Sequence, residues 1–178
     1  MYCWKSINLN KQYGGNRIFL LSFLTTLLVF ITLFTVMSLY LPIQAYRDDY
    51  VLLFMVTLLF LYPIHKMFHL IPMLLQFRNI TFTFKLYNMK QNFPFKLKDP
   101  VSKRSFLFSL LTPFSVITIS FLFGALFYPA YAHYFAILIS VHLGICVPDF
   151  ITLWNVLHSP QKCLFEMNED GFEILINK

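Results

Sequence analysis

His65 and His69 stand four residues apart in the stretch Tyr62-Pro63-Ile64-His65-Lys66-Met67-Phe68-His69, within a segment apolar enough to cross a membrane. On a helix, residues i and i+4 lie on one face, about 40° apart. That is the spacing by which two imidazoles grip one ion in the H-E-x-x-H motif of zinc enzymes. The residue after the first histidine is Lys66 rather than glutamate, so the pattern offers two metal ligands and lacks the base that would do chemistry. A third candidate is Asp149, the only acid between Asp99 and Glu166. It follows Pro148, which loosens a helix and frees backbone carbonyls.

Ionisable groups at membrane depth are costly and each needs a reason. At the helical rise per residue, His65 and His69 fall roughly 22–28 Å from Tyr50, and Asp149 falls roughly 27 Å from Tyr131. If both segments run in the same direction, two imidazoles and one carboxylate meet at one depth, which is a ligand set of catalytic zinc with water in the fourth place. The competing reading is an intramembrane ion pair between Lys66 and Asp149, because buried charges want partners. Lys66 lies about 60° from His69 around a helix and reaches the same cluster, or it snorkels its ammonium to the interface. His142, seven residues before Asp149, shares that face as an extra ligand, a supporting group or an ordinary buried histidine. His133 and His158 fall near segment ends and read as interfacial, and Cys146 reads as a small core residue.

The elements that must hold these groups follow from composition. The chain of 178 residues is 58% hydrophobic, with 22 Phe and only 12% charged residues. Soluble domains run at about 45–50% apolar, so lipid must cover part of this surface. Four apolar stretches, about 18–43, 50–77, 106–127 and 131–157, each reach the ~20 residues that span a bilayer. The first is too long for a signal-peptide core of ~7–15 residues and is read as an uncleaved anchor. The whole chain, 1–178, reads as one integral membrane domain.

Basic residues alternate cleanly. Lys5, Lys11 and Arg17 precede the first span, and Arg47 alone lies in the first loop beside Asp48 and Asp49. Arg78, Lys85, Lys90, Lys96, Lys98, Lys103 and Arg104 fill the second, none lies in the third, and the tail has Lys162 and Lys178. Positive-inside orientation then predicts a multi-pass protein of the cell membrane with both termini cytoplasmic. Within the loop 78–104, the stretches 81–87 and 93–98 alternate with period two and predict a hairpin. In the strand-rich tail 160–178, a second hairpin turns at Asn168-Glu169-Asp170-Gly171, with Gly171 suited to positive φ. The two hairpins are expected to form one small sheet.

The odd count of Cys3, Cys146 and Cys163 suggests no disulfide framework. The basic loop sets topology and meets anionic headgroups, whereas nucleic-acid binding would need a soluble basic surface that is not foreseen here. The expected partners are the lipid bilayer and a membrane protein or peptide. A transporter is disfavoured by four spans without an inverted repeat.

His65-x-x-x-His69 in one span, a hairpin loop, Pro113-Phe114 in the next span, Pro148-Asp149 in a later one and a strand-rich tail together resemble a family of small bacterial membrane proteins, the zincin peptidases related to site-2 intramembrane metalloproteases. The resemblance runs from about Leu61 to Ile176. It implies zinc held by His65, His69 and Asp149. The departure is Lys66, where the family pattern has the glutamate that activates water. The resemblance therefore implies a degenerate descendant, non-catalytic or weakly active, that binds a membrane segment or peptide. The alternative from another class is a small accessory or immunity-type four-helix membrane protein without metal, held by Lys66–Asp149. The expected fold class is all-α membrane, with small cytoplasmic β-hairpins.

Overall fold

Long apolar runs with few interior glycines or charges favour helix, because a chain facing lipid must satisfy its backbone within each segment. In the computed structural model, which describes residues 2–40, 46–76, 80–81, 96–97, 100–168 and 171–176, these runs become α2 (Gly15–Tyr40), α3 (Val51–Gln76) and α4 (Lys103–Phe127). All three are long and apolar enough to cross a membrane. The fourth expected span is not one helix. A 3₁₀ turn at Pro129–Tyr131 leads into α5 (Ala132–Ile145), and α6 (Val147–Leu157) continues after a bend of 43°. The cause is Pro148, which lacks an amide hydrogen and so sits comfortably in the first turn of a new helix rather than inside an old one. A short helix, α1 (Leu9–Tyr13), precedes α2. It is capped by the Asn8 side chain, which accepts from the Lys11 amide at 3.0 Å, and it ends at Gly14 with φ 79°.

The strands correct the expectation in three ways. First, the tail hairpin β5 (Cys163–Asn168) and β6 (Gly171–Ile176) lies in a four-stranded antiparallel sheet of order β1-β6-β5-β4, with β1 at Tyr2–Ile7 and β4 at Val101–Ser102. The N-terminal strand had no period-two signal: it is exposed along its length except at Ile7. Second, the loop hairpin does not join that sheet. Its described part, β2 (Ile80–Thr81) against β3 (Lys96–Leu97), is a separate pair, and the rest of 81–87 and 93–98 lies outside the described residues. Third, Gly171 has no positive φ. It is needed because a Cβ there would overlap the Ile7 carbonyl of β1.

The sheet closes one end of the bundle. Phe165 stacks on Phe106 with ring centroids 4.8 Å apart, and Ile7, Val101, Met73, Leu70, Val156 and Ile174 complete a buried cluster around them. Lys103 donates to the carbonyls of Leu157 at 3.1 Å and Ser159 at 2.6 Å, so a cation caps the C-terminal end of α6. At the other end, the loop between α2 and α3 is stitched to the turn before α5. The Arg47 amide donates to Ala130, His133 and Tyr134 bond Asp48, and Arg47 pairs with Asp49 at 2.6 Å. Between the ends, α5 lies against α2 along a ladder of small buried residues, Ala132, Ala136, Ser140 and Gly144. A Cβ at Gly144 would overlap the Thr26 hydroxyl, so the two helices approach there as closely as backbones allow.

A candidate metal centre

His65 and His69 project from α3 toward the first turn of α6, and Asp149 meets them there. Both histidines are fully buried, and the Asp149 side chain is 11% exposed. His65 Nε2 is 2.9 Å from Asp149 Oδ2, His69 Nε2 is 3.4 Å from the same oxygen, and the two Nε2 atoms are 3.2 Å apart. The matching depth expected from the sequence is thus met by contact between the side chains. The position also suits the anion: a carboxylate in the first turn of a helix faces the positive end of its dipole.

The partners of His69 fix its proton. Its Nδ1 lies 2.8 Å from the Ser109 carbonyl, which can only accept, so Nδ1–H donates, and in the neutral ring Nε2 carries the lone pair. That carbonyl is free to accept because residue 113 is proline. In a regular helix Ser109 would receive the amide of residue 113, and Pro113 has none. Ser109 Oγ returns a bond to the His69 carbonyl at 2.6 Å, completing a reciprocal clamp between α3 and α4. An imidazole anchored through Nδ1 to a carbonyl while Nε2 points at a carboxylate and a second imidazole is the posture of a metal ligand with its supporting group.

A tetrahedral zinc ion with bonds of about 2.0–2.2 Å holds its ligand atoms about 3.3–3.6 Å apart. The observed edges of 2.9, 3.2 and 3.4 Å lie at or below that range, so an ion would enter with the His65–Asp149 edge opening the most. With neutral rings, at most one proton serves three acceptor atoms here, and one cation would satisfy all three. The donor set therefore fits the metal.

His142 and Cys146 of α5 and its C-terminal cap complete the surroundings, both of them buried. His142 Nε2 is 3.2 Å from His65 Nδ1, and its Nδ1 is 3.2 Å from the Thr118 hydroxyl on α4. Cys146 Sγ lies 3.6 Å from His142 Nε2 and 4.0 Å from His65 Nδ1. Cys146 is buried as expected of a small core residue, and its thiol also faces both rings. The signal was present as His142, Cys146 and Asp149 at i, i+4 and i+7, one helical face. Ser109 and Thr118 carried no such signal, because two hydroxyls in an apolar span ordinarily bond their own helix. The Lys66 ammonium lies 5.6 Å from the Tyr62 ring centroid. His133 and His158 stand away from the site, against Asp48 and the Trp154 carbonyl. Among the described residues, two groups could hold a metal ion: His65, His69 and Asp149, and His65, His142 and Cys146.

Comparison with known proteins gives one finding for this geometry. Residues 58–164, which include all of these groups, match the family model described as putative zincin peptidase, and the chain belongs to that family. No curated protein and no solved structure matches the chain.

Proposed function

We propose that this zincin-family chain is a multi-pass protein of the cell membrane with both termini in the cytoplasm, and that His65, His69 and Asp149 hold a zinc ion. The observation that carries the reading is the triangle of buried Nε2, Nε2 and Oδ2 atoms, with the His69 proton committed to Ser109 on the far side of its ring. Membrane residence is supported by the exposed apolar faces of the long helices, with Phe19, Leu28, Leu39, Leu52 and Leu59 each more than half exposed. His65, His69 and Asp149 would hold the ion, which when bound would supply Lewis acidity and a more acidic water.

The chain's own residues then decide whether that water is used. Lys66 stands where the family pattern has glutamate, and an ammonium has no lone pair with which to take a proton from water. The protein is accordingly a degenerate relative of the site-2-type intramembrane peptidases, non-catalytic or weakly active. It binds a peptide or membrane segment without efficient cleavage.

The test is zinc content, by elemental analysis after mild chelation, of detergent-purified wild type beside His69→Ala and Asp149→Ala. About one zinc per chain in wild type, with only nitrogen and oxygen neighbours by X-ray absorption, and loss of that zinc environment in either variant are expected. A zinc-free wild type that stays zinc-free after incubation with metal would sink the reading. It would leave a small accessory or immunity-type four-helix protein, held by the Lys66–Asp149 pair, whose charge-swapped double variant should then fold where the single ones fail.

A further inference from the structure

We infer that His65, His142 and Cys146 form a second metal position, softer than the first and on the opposite edge of the His65 ring. The three atoms that would serve it, His65 Nδ1, His142 Nε2 and Cys146 Sγ, are separated by 3.2, 3.6 and 4.0 Å. An ion with nitrogen bonds of about 2.0–2.1 Å and a sulfur bond of about 2.3 Å sets such atoms about 3.3–3.8 Å apart. The His142–Cys146 edge lies in that range and the His65–His142 edge just below it, while the His65–Cys146 edge of 4.0 Å is longer, so the thiol would draw in toward His65 on binding. All three residues are buried, in an environment that protects a thiolate–metal bond from water. His142 is held from behind as a ligand should be, its Nδ1 3.2 Å from the Thr118 hydroxyl.

Coordination removes the thiol proton outright, so Cys146 supplies an anion to this position as Asp149 does to the first. Thiolate beside imidazole selects thiophilic ions, whereas the carboxylate position favours harder ones. A neutral imidazole offers one lone pair, through Nε2 or through Nδ1, so the two positions compete for His65 and fill alternately. The inference shares only His65 with the proposed zinc site. The two readings can therefore fail separately.

The experiment uses the full chain in detergent with reductant, in a Cys3→Ser/Cys163→Ala background so that Cys146 is the only thiol. Cadmium is added, and the sulfur-to-metal charge-transfer band is followed in the ultraviolet. The band is expected to appear with one cadmium per chain and to be lost in Cys146→Ser. It should weaken at least 10-fold in apparent affinity in His142→Ala, while persisting or growing in Asp149→Ala, where His65 is released from the first position. X-ray absorption at the cadmium edge of the unmutated chain should show a sulfur neighbour, a readout that needs no variant to fold. Cadmium that does not bind, that binds with no sulfur neighbour, or that keeps its band in Cys146→Ser would overturn the inference. Loss of zinc specificity for His69 and Asp149 with the cadmium band intact would instead count against the first site alone.

Discussion

Pro113 shows how one residue type can shape a site from a neighbouring helix. By withholding an amide hydrogen it leaves the Ser109 carbonyl to His69, and the ring is thereby fixed with its lone pair facing His65 and Asp149. Replacing Pro113 by alanine returns a competing donor to that carbonyl. Supporting groups of metal-binding histidines are typically worth 10–100-fold in affinity. Because a carbonyl has two lone pairs and can serve both donors, Pro113→Ala is expected at the lower end, about 10-fold weaker zinc binding by chelator competition, with the helix itself made more stable. An unchanged affinity would mean that the carbonyl does not orient His69. Lys66 makes the opposite test. Lys66→Glu supplies a carboxylate where the proposed degeneracy places the missing base, and a general base is worth roughly 10²–10⁴ in rate. Proteolysis of a membrane-segment substrate should appear in Lys66→Glu and vanish when His69→Ala is added. A Lys66→Glu chain that binds zinc and remains inert would show that more than the base has been lost.

At the scale of elements, the same chemistry depends on how closely α5 is held to α2. Ala132, Ala136, Ser140 and Gly144 recur every fourth residue, and Gly144 meets Thr26 and the Ser22 carbonyl of α2. In lipid, where apolar side chains gain little by meeting one another, such close packing is a main source of helix association. A single added methyl at Gly144 should cost about 1–3 kcal/mol, the usual range for overpacking, read as a lower unfolding midpoint in detergent. Gly144→Ala combined with Thr26→Ala should recover only part of that loss, since the Ser22 carbonyl remains 2.9 Å from the new Cβ. Full recovery, or no loss at all, would refute the close approach. The sequence made His65, His69 and Asp149 legible, because counting residues from the span ends needs only the helical rise. It did not reveal the small-residue ladder, which looks like any apolar run until its partner helix is known. It did not reveal β1 either. Only Ile7 of that strand is buried, and its pairing with β6 joins residues at opposite ends of the chain. The bend before α6 was half legible: Pro148 marked it, but whether a proline kinks a helix or starts another depends on what its neighbours pack against.

Taken as a whole, the molecule ties its ends together in a way that makes its orientation measurable. Strand β1 leads into α1 and α2, β4 leads into α4, and β5 leaves α6, yet all three strands share one sheet. The N-terminus, the start of α4 and the C-terminal hairpin must therefore lie on one side of any membrane the helices cross, while Arg47 and the Tyr128–Tyr131 turn lie on the other. The basic loop puts the sheet in the cytoplasm if the positive-inside rule decides. Native cysteines can read this directly, since Cys3 is exposed while Cys146 and Cys163 are buried. A membrane-impermeant maleimide should leave intact cells unlabelled and label Cys3 once the membrane is opened. In a Cys3→Ser background, Tyr128→Cys, at an exposed position of the opposite turn, should be labelled on intact cells without opening. Labelling of Cys3 from outside would invert the orientation. Labelling of Cys3 and of Tyr128→Cys from the same side would break the more basic claim, because strands drawn from both ends of the chain and from the loop before α4 could not then share a sheet around helices that cross the bilayer an even number of times.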